Sequence, residues 1–302
     1  MDNDLDTLAT ALYVTCDDYL KARPELAPWR PRVGLIPRIS DAELITLAVM
    51  QALLEHHNER RWIRYAHARL RHLFPTIPQQ SGYNKRLRRL AGTMQAVIAH
   101  LAADTGLWSD DVWIADSTPV ECGRSRETVK RSDLAGFAEY GYCASHSRFF
   151  WGVRLHLLAT LDGLPVGFAL TGAKADERDT LQGILDATPA RIPAGQMIMA
   201  DKGYYGRVFE TELANVQVTL IRPARQGEPA REDARFLKPL RQRIESVFDT
   251  LKGQLGLEQH GGRTPGGVIV RVLQRLLALT AAIWHNHRTG QPILRSLTAY
   301  DH

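Results

Sequence analysis

Between Gly106 and Asp111 the hydrophobic pattern of this chain changes its period, and that change limits what either side can fold into. Before it, apolar residues recur every three or four positions; after it, they come in short runs or alternate. Ser40 and Glu43 stand three apart ahead of Leu44, Ile45, Leu47, Ala48, Met50 and Leu54, the spacing of a capping box that opens an amphipathic helix. A second helix is expected over Glu59 to Leu73, stopped by Pro75 and Pro78. A third is expected from near Ser81, with Lys85, Arg86, Arg88 and Arg89 close to its start and Met94, Val97, Ile98 and Leu101 further along. Short helices, a tight connection and a basic helix start fit a helix-turn-helix-like reader of DNA. A small helical bundle with solvated charges fits the same pattern.

After the change, Val112-Trp113-Ile114-Ala115 reads as a short buried strand ending on Asp116-Ser117-Thr118-Pro119. Glu121 to Arg148 is too rich in Gly, Ser and charge to be core. Phe149 to Leu161 alternates, turns at Asp162-Gly163 and returns as Leu164 to Thr171, a hairpin. A helix over Asp176 to Ala187, strands at Met197 to Ala200 and Val216 to Ile221, a polar loop over Arg222 to Arg235 and a further helix complete the pattern. The order predicts a mixed α/β layer in which helices cover a central sheet. At 302 residues and 44% hydrophobic, the chain can bury one sizeable core and a smaller second one.

The last helix carries the densest chemistry. At about 100° per residue, Arg241, Glu245 and Lys252 fall on one face, beside a stripe of Ile244, Val247, Phe248, Leu251 and Leu255 that can pack inward. A carboxylate flanked by cations suits a metal ion and a phosphate. Asp116 and Asp201 share a local grammar, each following an apolar run and preceding a turn. Open α/β sheets bind ligands outside strand ends, so the two acids can converge there, with Glu245 as a third from the covering helix. Carboxylates without a Cys or His motif favour Mg²⁺ or Mn²⁺ over zinc. A pair of such ions about 4 Å apart serves in-line phosphoryl transfer.

The net charge of +5 favours a polyanionic partner, and all but seven of the 38 basic residues are arginine, the better fork for phosphate oxygens. A GC-rich genome yields the same enrichment. Cys16, Cys122 and Cys143 are odd in number and widely spaced, as in a protein of the reducing cytoplasm. The acidic start is unlike a secretion signal, and Arg271 and Arg275 interrupt the most apolar window, Val268 to Trp284, so no membrane partner is expected. His146 and His156 with Cys122 and Cys143 lack finger spacing for zinc, and His156 reads as a packed, hydrogen-bonded strand residue. Asp176 and Asp179 read as helix-start acids, and Trp284-His285-Asn286-His287 as core and cap. The stretch Arg124, Arg126, Lys130, Arg131 is either a solvated loop or the lining of a DNA path.

Taken together, Asp116 after its strand, Gly141 to His146 leading into Phe150 to Leu157, Ala200-Asp201-Lys202-Gly203-Tyr204 and Arg241 to Lys252 resemble the DDE transposases of bacterial insertion sequences. Arg241, Glu245 and Lys252 match that family's Tyr, Arg, Glu, Lys signature in spacing, whereas its Tyr position holds Lys238. The resemblance covers roughly residues 110 to 285, and Ser40 to Leu54 and Gly82 to Arg89 look like the helical front end of one insertion-sequence group. It implies a ribonuclease-H-like mixed sheet flanked by helices, over residues 109–302 with a C-terminal helix, preceded by a small all-α DNA-binding domain over 1–108. Catalytic and metal-binding roles then fall to Asp116, Asp201 and Glu245, with two Mg²⁺ or Mn²⁺ ions. DNA contacts fall to Arg241, Lys252 and Lys202, and to Lys85, Arg86, Arg88 and Arg89 in front. The implied substrates are the terminal inverted repeats of an element and a target duplex, bound by a homodimer or larger assembly in the bacterial cytoplasm. A nuclease without strand transfer, or a catalytically silent DNA-binding regulator, would share the same features.

Overall fold

A computed structural model of the chain describes residues 2–29, 37–143, 147–187, 192–229, 231, 234–293, 297 and 300. His146, one of the zinc candidates weighed above, lies outside them. The front of the chain forms α1 (Asp2–Ala22), α2 (Asp41–Leu53), α3 (Glu59–Arg69), α4 (Gln80–Arg89) and α5 (Ala91–Thr105). The capping box forms as its spacing requires: the Ser40 N–H donates to Glu43 Oε2 at 2.6 Å and the Glu43 N–H to Ser40 Oγ at 3.0 Å. The third expected helix divides at Leu90 into α4 and α5. The tight connection lies there, not between α3 and α4, whose link over residues 70–79 contains Pro75 and Pro78 and exceeds the three or four residues of a helix-turn-helix.

The sheet follows. Its strands are β1 (Val112–Gly123), β2 (Glu139–Cys143), β3 (Arg148–Thr160), β4 (Pro165–Gly172), β5 (Met197–Met199) and β6 (Thr219–Ile221). Between them lie α6 (Arg126–Arg131), α7 (Glu177–Ala187) and α8 (Arg207–Asn215), and after them come α9 (Ala234–Asp249) and α10 (Pro265–Thr289). The strand order is β2-β3-β1-β5-β6, with β4 also pairing β3. β3 is antiparallel to β1, β2 and β4, whereas β5 is parallel to both β1 and β6. This is a mixed sheet flanked by helices. Gly163 turns the β3–β4 hairpin at φ 84°, and an added Cβ would stand 2.9 Å from Val247 of α9, so only glycine suits both the turn and the packing.

Sequence placed the end of the first strand at Ala115; β1 instead continues to Gly123 as the antiparallel partner of β3. Its pairing with β5 ends at Ile114 and Met199. Beyond that point β1 has a free edge, where Pro119 sits without breaking a ladder.

Two compact units result: Met1–Thr105 with Leu251–His302, and Gly106–Thr250. The expected boundaries at 1–108 and 109–302 put the C-terminal helix with the sheet, whereas α10 packs on α5, α2 and α1. The reason is its amphipathicity, or lack of it: Val268 and Leu276 through Trp284 are all buried, and a helix apolar all round needs helices all round. Its length and apolarity would suit a membrane span, and 83% of its most apolar window is buried. Arg271 is buried with partners: Nη1 donates to Gln274 Oε1 at 2.7 Å and Gln51 Oε1 at 3.1 Å, and Nη2 pairs with Glu59. The Trp284 to Asn286 segment is core, as expected, and Gly290 caps α10 in the left-handed conformation.

Candidate active site

Alternation along β1 assigns its side chains to two faces. Trp113 and Ala115 enter a core with Leu181, Ile184 and Leu185 of α7 and Phe209 and Leu213 of α8. Ile114 and Asp116 face the other way, into a cavity of about 280 Å³ that also takes in Asp201 after β5 and Leu237, Arg241 and Ile244 of α9. The two aspartates and Arg241 therefore meet, as their sequence grammar suggested, although Asp116 is mid-strand and only the parallel pairing ends beside it.

Burial is the largest cause that pushes the Asp116 carboxyl up to about 7; the charges of Asp201 and Glu177 add to it, while the Ser117 N–H at 2.7 Å and Arg241 oppose it. Asp201 caps the short turn Lys202–Tyr204, accepting from the Gly203 N–H at 2.6 Å. Lys202 beside it is exposed. The Tyr204 phenol is fully buried and held protonated by burial first, then by Glu177, Asp116 and Asp201.

Glu245 stands apart from the pair. It is half exposed on α9, with Oε1 3.1 Å from Arg241 Nε, and it does not line the cavity. Among the described residues no group of three His, Cys, Asp or Glu side chains is placed to hold a metal. The guanidinium partner of Glu245 stands one helical turn away on the same helix. Lys252 sits in a π-turn over Thr250–Gln254, so the regular 100° step that put it on the face of Arg241 and Glu245 does not hold there.

The acid that sequence reading passed over is Glu177, in the first turn of α7. Its Oε1 accepts from Ser117 Oγ at 2.5 Å and lies 3.3 Å from Arg154 Nη1, which also donates to Ser117 Oγ at 2.8 Å. A Cβ on Gly203 would touch both Asp201 Oδ1 (2.8 Å) and Glu177 Oε2 (3.2 Å). Glu177 thus ties β1, β3 and the Asp201 turn together from the sheet face opposite Asp116. A helix-start acid is so common that its type carried no signal; the flanking Asp176 caps α7, accepting from the Arg178 N–H at 2.9 Å, and pairs with the Arg178 guanidinium at 2.7 Å. His156 is the packed strand residue expected, 2.9 Å from Thr171 Oγ1, and burial and then Arg154 lower it to about 4.

On the front helices, Arg86 is spent inside the fold: it donates to Ile39 O at 2.7 Å and pairs with Asp41 at 2.6 Å. Lys85, Arg88 and Arg89 are exposed.

The fold is a mixed α/β sheet flanked by helices, with two aspartates and an arginine gathered where its parallel strand pairing ends. The chain belongs to the transposase DDE domain family, whose model matches residues 107–281. No curated protein sequence matches it. Among solved structures, the cryo-EM structure of a piggyBac transposase synaptic complex with hairpin DNA is similar with a TM-score of 0.45 and 8% identity, covering 97% of this chain and 76% of that one.

Proposed function

We propose that this protein is the DNA transposase of a bacterial insertion sequence, cutting at the ends of its element and joining them to target DNA. The observation that carries the reading is the shared cavity of Asp116, Asp201 and Arg241 in a DDE-family chain. The donor set fits a divalent cation: Asp116 and Asp201 offer hard oxygen ligands to one cavity. Bound there, a pair of Mg²⁺ or Mn²⁺ ions would supply Lewis-acid activation of the attacking oxygen and stabilisation of the leaving one.

The residues divide the work as follows in this proposal. Asp116 and Asp201 hold the cations. Glu245, one turn from Arg241 on α9, would be the third ligand. Lys202 and Lys252 add positive charge for the DNA backbone, and Lys85, Arg88 and Arg89 serve the front end. The reaction is hydrolysis of a phosphodiester at the element end, freeing a 3′-hydroxyl that then attacks the target duplex. Two ends must be processed together, so a homodimer or larger assembly on DNA is part of the proposal.

A labelled element end incubated with Mg²⁺ and a supercoiled plasmid tests it. Joined product is expected; nicking without joining would leave a nuclease, and binding without nicking a silent regulator. Glu177 supplies a separate check. Glu177→Ala should lower Mg²⁺ affinity and cleavage rate by about 10- to 100-fold, as loss of a group that orients metal ligands typically does. Glu177→Gln, which keeps an acceptor for Ser117 and Arg154, should recover most of the loss, measured by metal titration alongside rate.

A further inference from the structure

Within the helical unit, a cavity of about 540 Å³ opens where α3, α4 and α10 begin. Arg60, Arg88 and Arg263 line it, and among the described residues none of the three makes an ion pair or hydrogen bond. Glu59 is the one carboxylate in the lining, and it is already committed to Arg271 and to Asn84, whose Nδ2 donates at 2.7 Å. Three uncompensated guanidiniums therefore share one polar recess, while Arg86 on the same α4 is fully engaged with Asp41 and Ile39.

The backbone adds to the positive potential. Asn58 caps α3 and Thr264 caps α10, but α4 starts with no side-chain cap, and Gln80 of its first turn lines the cavity. Converging helix starts direct partial positive charge into the recess. Gly261, which lines the recess at φ 64°, has open space where a Cβ would stand, so a ligand can approach its backbone closely. Among the described residues the only rings in the lining are the imidazoles of His57 and His260, with no Trp, Tyr or Phe to stack on a base. The chemistry is that of a backbone phosphate.

We propose that this cavity clamps a phosphodiester of duplex DNA, with Arg60, Arg88 and Arg263 as its ligands. The inference rests on the transposase reading and deepens it, assigning Arg88 to DNA among the basic residues of α4 and adding Arg60 and the loop carrying Arg263.

Fluorescence anisotropy of the full chain with a labelled duplex, in EDTA and over a salt series, tests it. For Arg88→Ala/Arg263→Ala the slope of log affinity against log salt should fall by about two, and affinity at low salt by about 10- to 100-fold. The Lys pair, Arg88→Lys/Arg263→Lys, should keep the slope, and Lys21→Ala on α1 should change nothing. Both arginines are exposed and unbonded, and circular dichroism should match the wild type. A double alanine variant that binds with wild-type affinity and slope overturns this inference alone when the wild type binds and cleaves DNA. A wild type that binds no duplex overturns both it and the reading beneath it. Reduced binding by the double variant supports the clamp even if no cleavage is found.

Discussion

Asp116→Asn should abolish Mg²⁺-dependent cleavage while making the metal-free protein more stable at pH 8. The first effect follows from removing a proposed metal ligand and should reach at least ~10³-fold in rate, with duplex affinity in EDTA unchanged. The second follows from the raised carboxyl. Its ordinary value is 3.8 and the folded value is about 7, so the folded state holds the proton more tightly than the unfolded chain. Stability from this group is therefore complete below about pH 4, declines as pH rises through 7 and stays lost above it. About three pH units at 1.36 kcal/mol each set a ceiling of roughly 4 kcal/mol, and relaxation of the site brings the expected gain for Asn to ~2 kcal/mol. Thermal unfolding at pH 5 and pH 8 checks it: the wild type should lose stability between the two, and the variant should lose less. Millimolar Mg²⁺ at pH 8 should raise the wild-type melting temperature and leave the variant's unmoved. A variant no more stable than wild type at pH 8 would show that burial does not raise the Asp116 carboxyl.

The second large effect lies in the helical unit. Arg271→Ala should destabilise it by about 3 kcal/mol, because Glu59 and the acceptors of Gln51 and Gln274 lose a buried donor. Its guanidinium is only 6% exposed, and burial lowers its pKa to about 10, so the charge is retained at neutral pH. Adding Glu59→Gln to that variant should recover part of the loss, since the cost is dominated by a carboxylate left without its cation. Urea unfolding monitored by far-ultraviolet circular dichroism measures both. If the double variant is no better than the single, packing rather than charge dominates the site.

Much of the layout was legible because local chemistry dictates it. The Ser40–Glu43 box forms with both hydrogen bonds, and Asp162-Gly163 turns a hairpin because glycine alone tolerates that φ and that contact. The alternation of Phe149 to Leu161 appears as β3, one residue early at each end. Misplaced features were those set by partners distant in sequence. β1 runs past Ala115 because β3 offers a pairing edge as far as Gly123, which no local propensity announces. The helix expected from Ser81 breaks at Leu90, and the backbone around Lys252 widens into a π-turn over Thr250–Gln254.

The same division runs through the candidate site. Residue type and local context alone singled out Asp116, Asp201 and Arg241, since acids after buried apolar runs sit where a sheet opens. Sequence also marked Glu245, but in space its nearest charged partner is Arg241, one turn away on α9. Glu177 was invisible: an acid in a first helical turn has a sufficient local reason to be there, and only packing of α7 against the sheet brings it to Ser117, Arg154 and the Asp201 turn. The change from helices to a mixed sheet and the family were thus legible in the chain read linearly, whereas α1, α6 and β2 were not, and the stretch after Glu121 read as non-core buries Leu134, Ala138 and Cys143. Which acids stand together, which arginines are spent and which are left unpaired were decided by tertiary structure, because Coulomb and hydrogen-bond partners are chosen by distance in space.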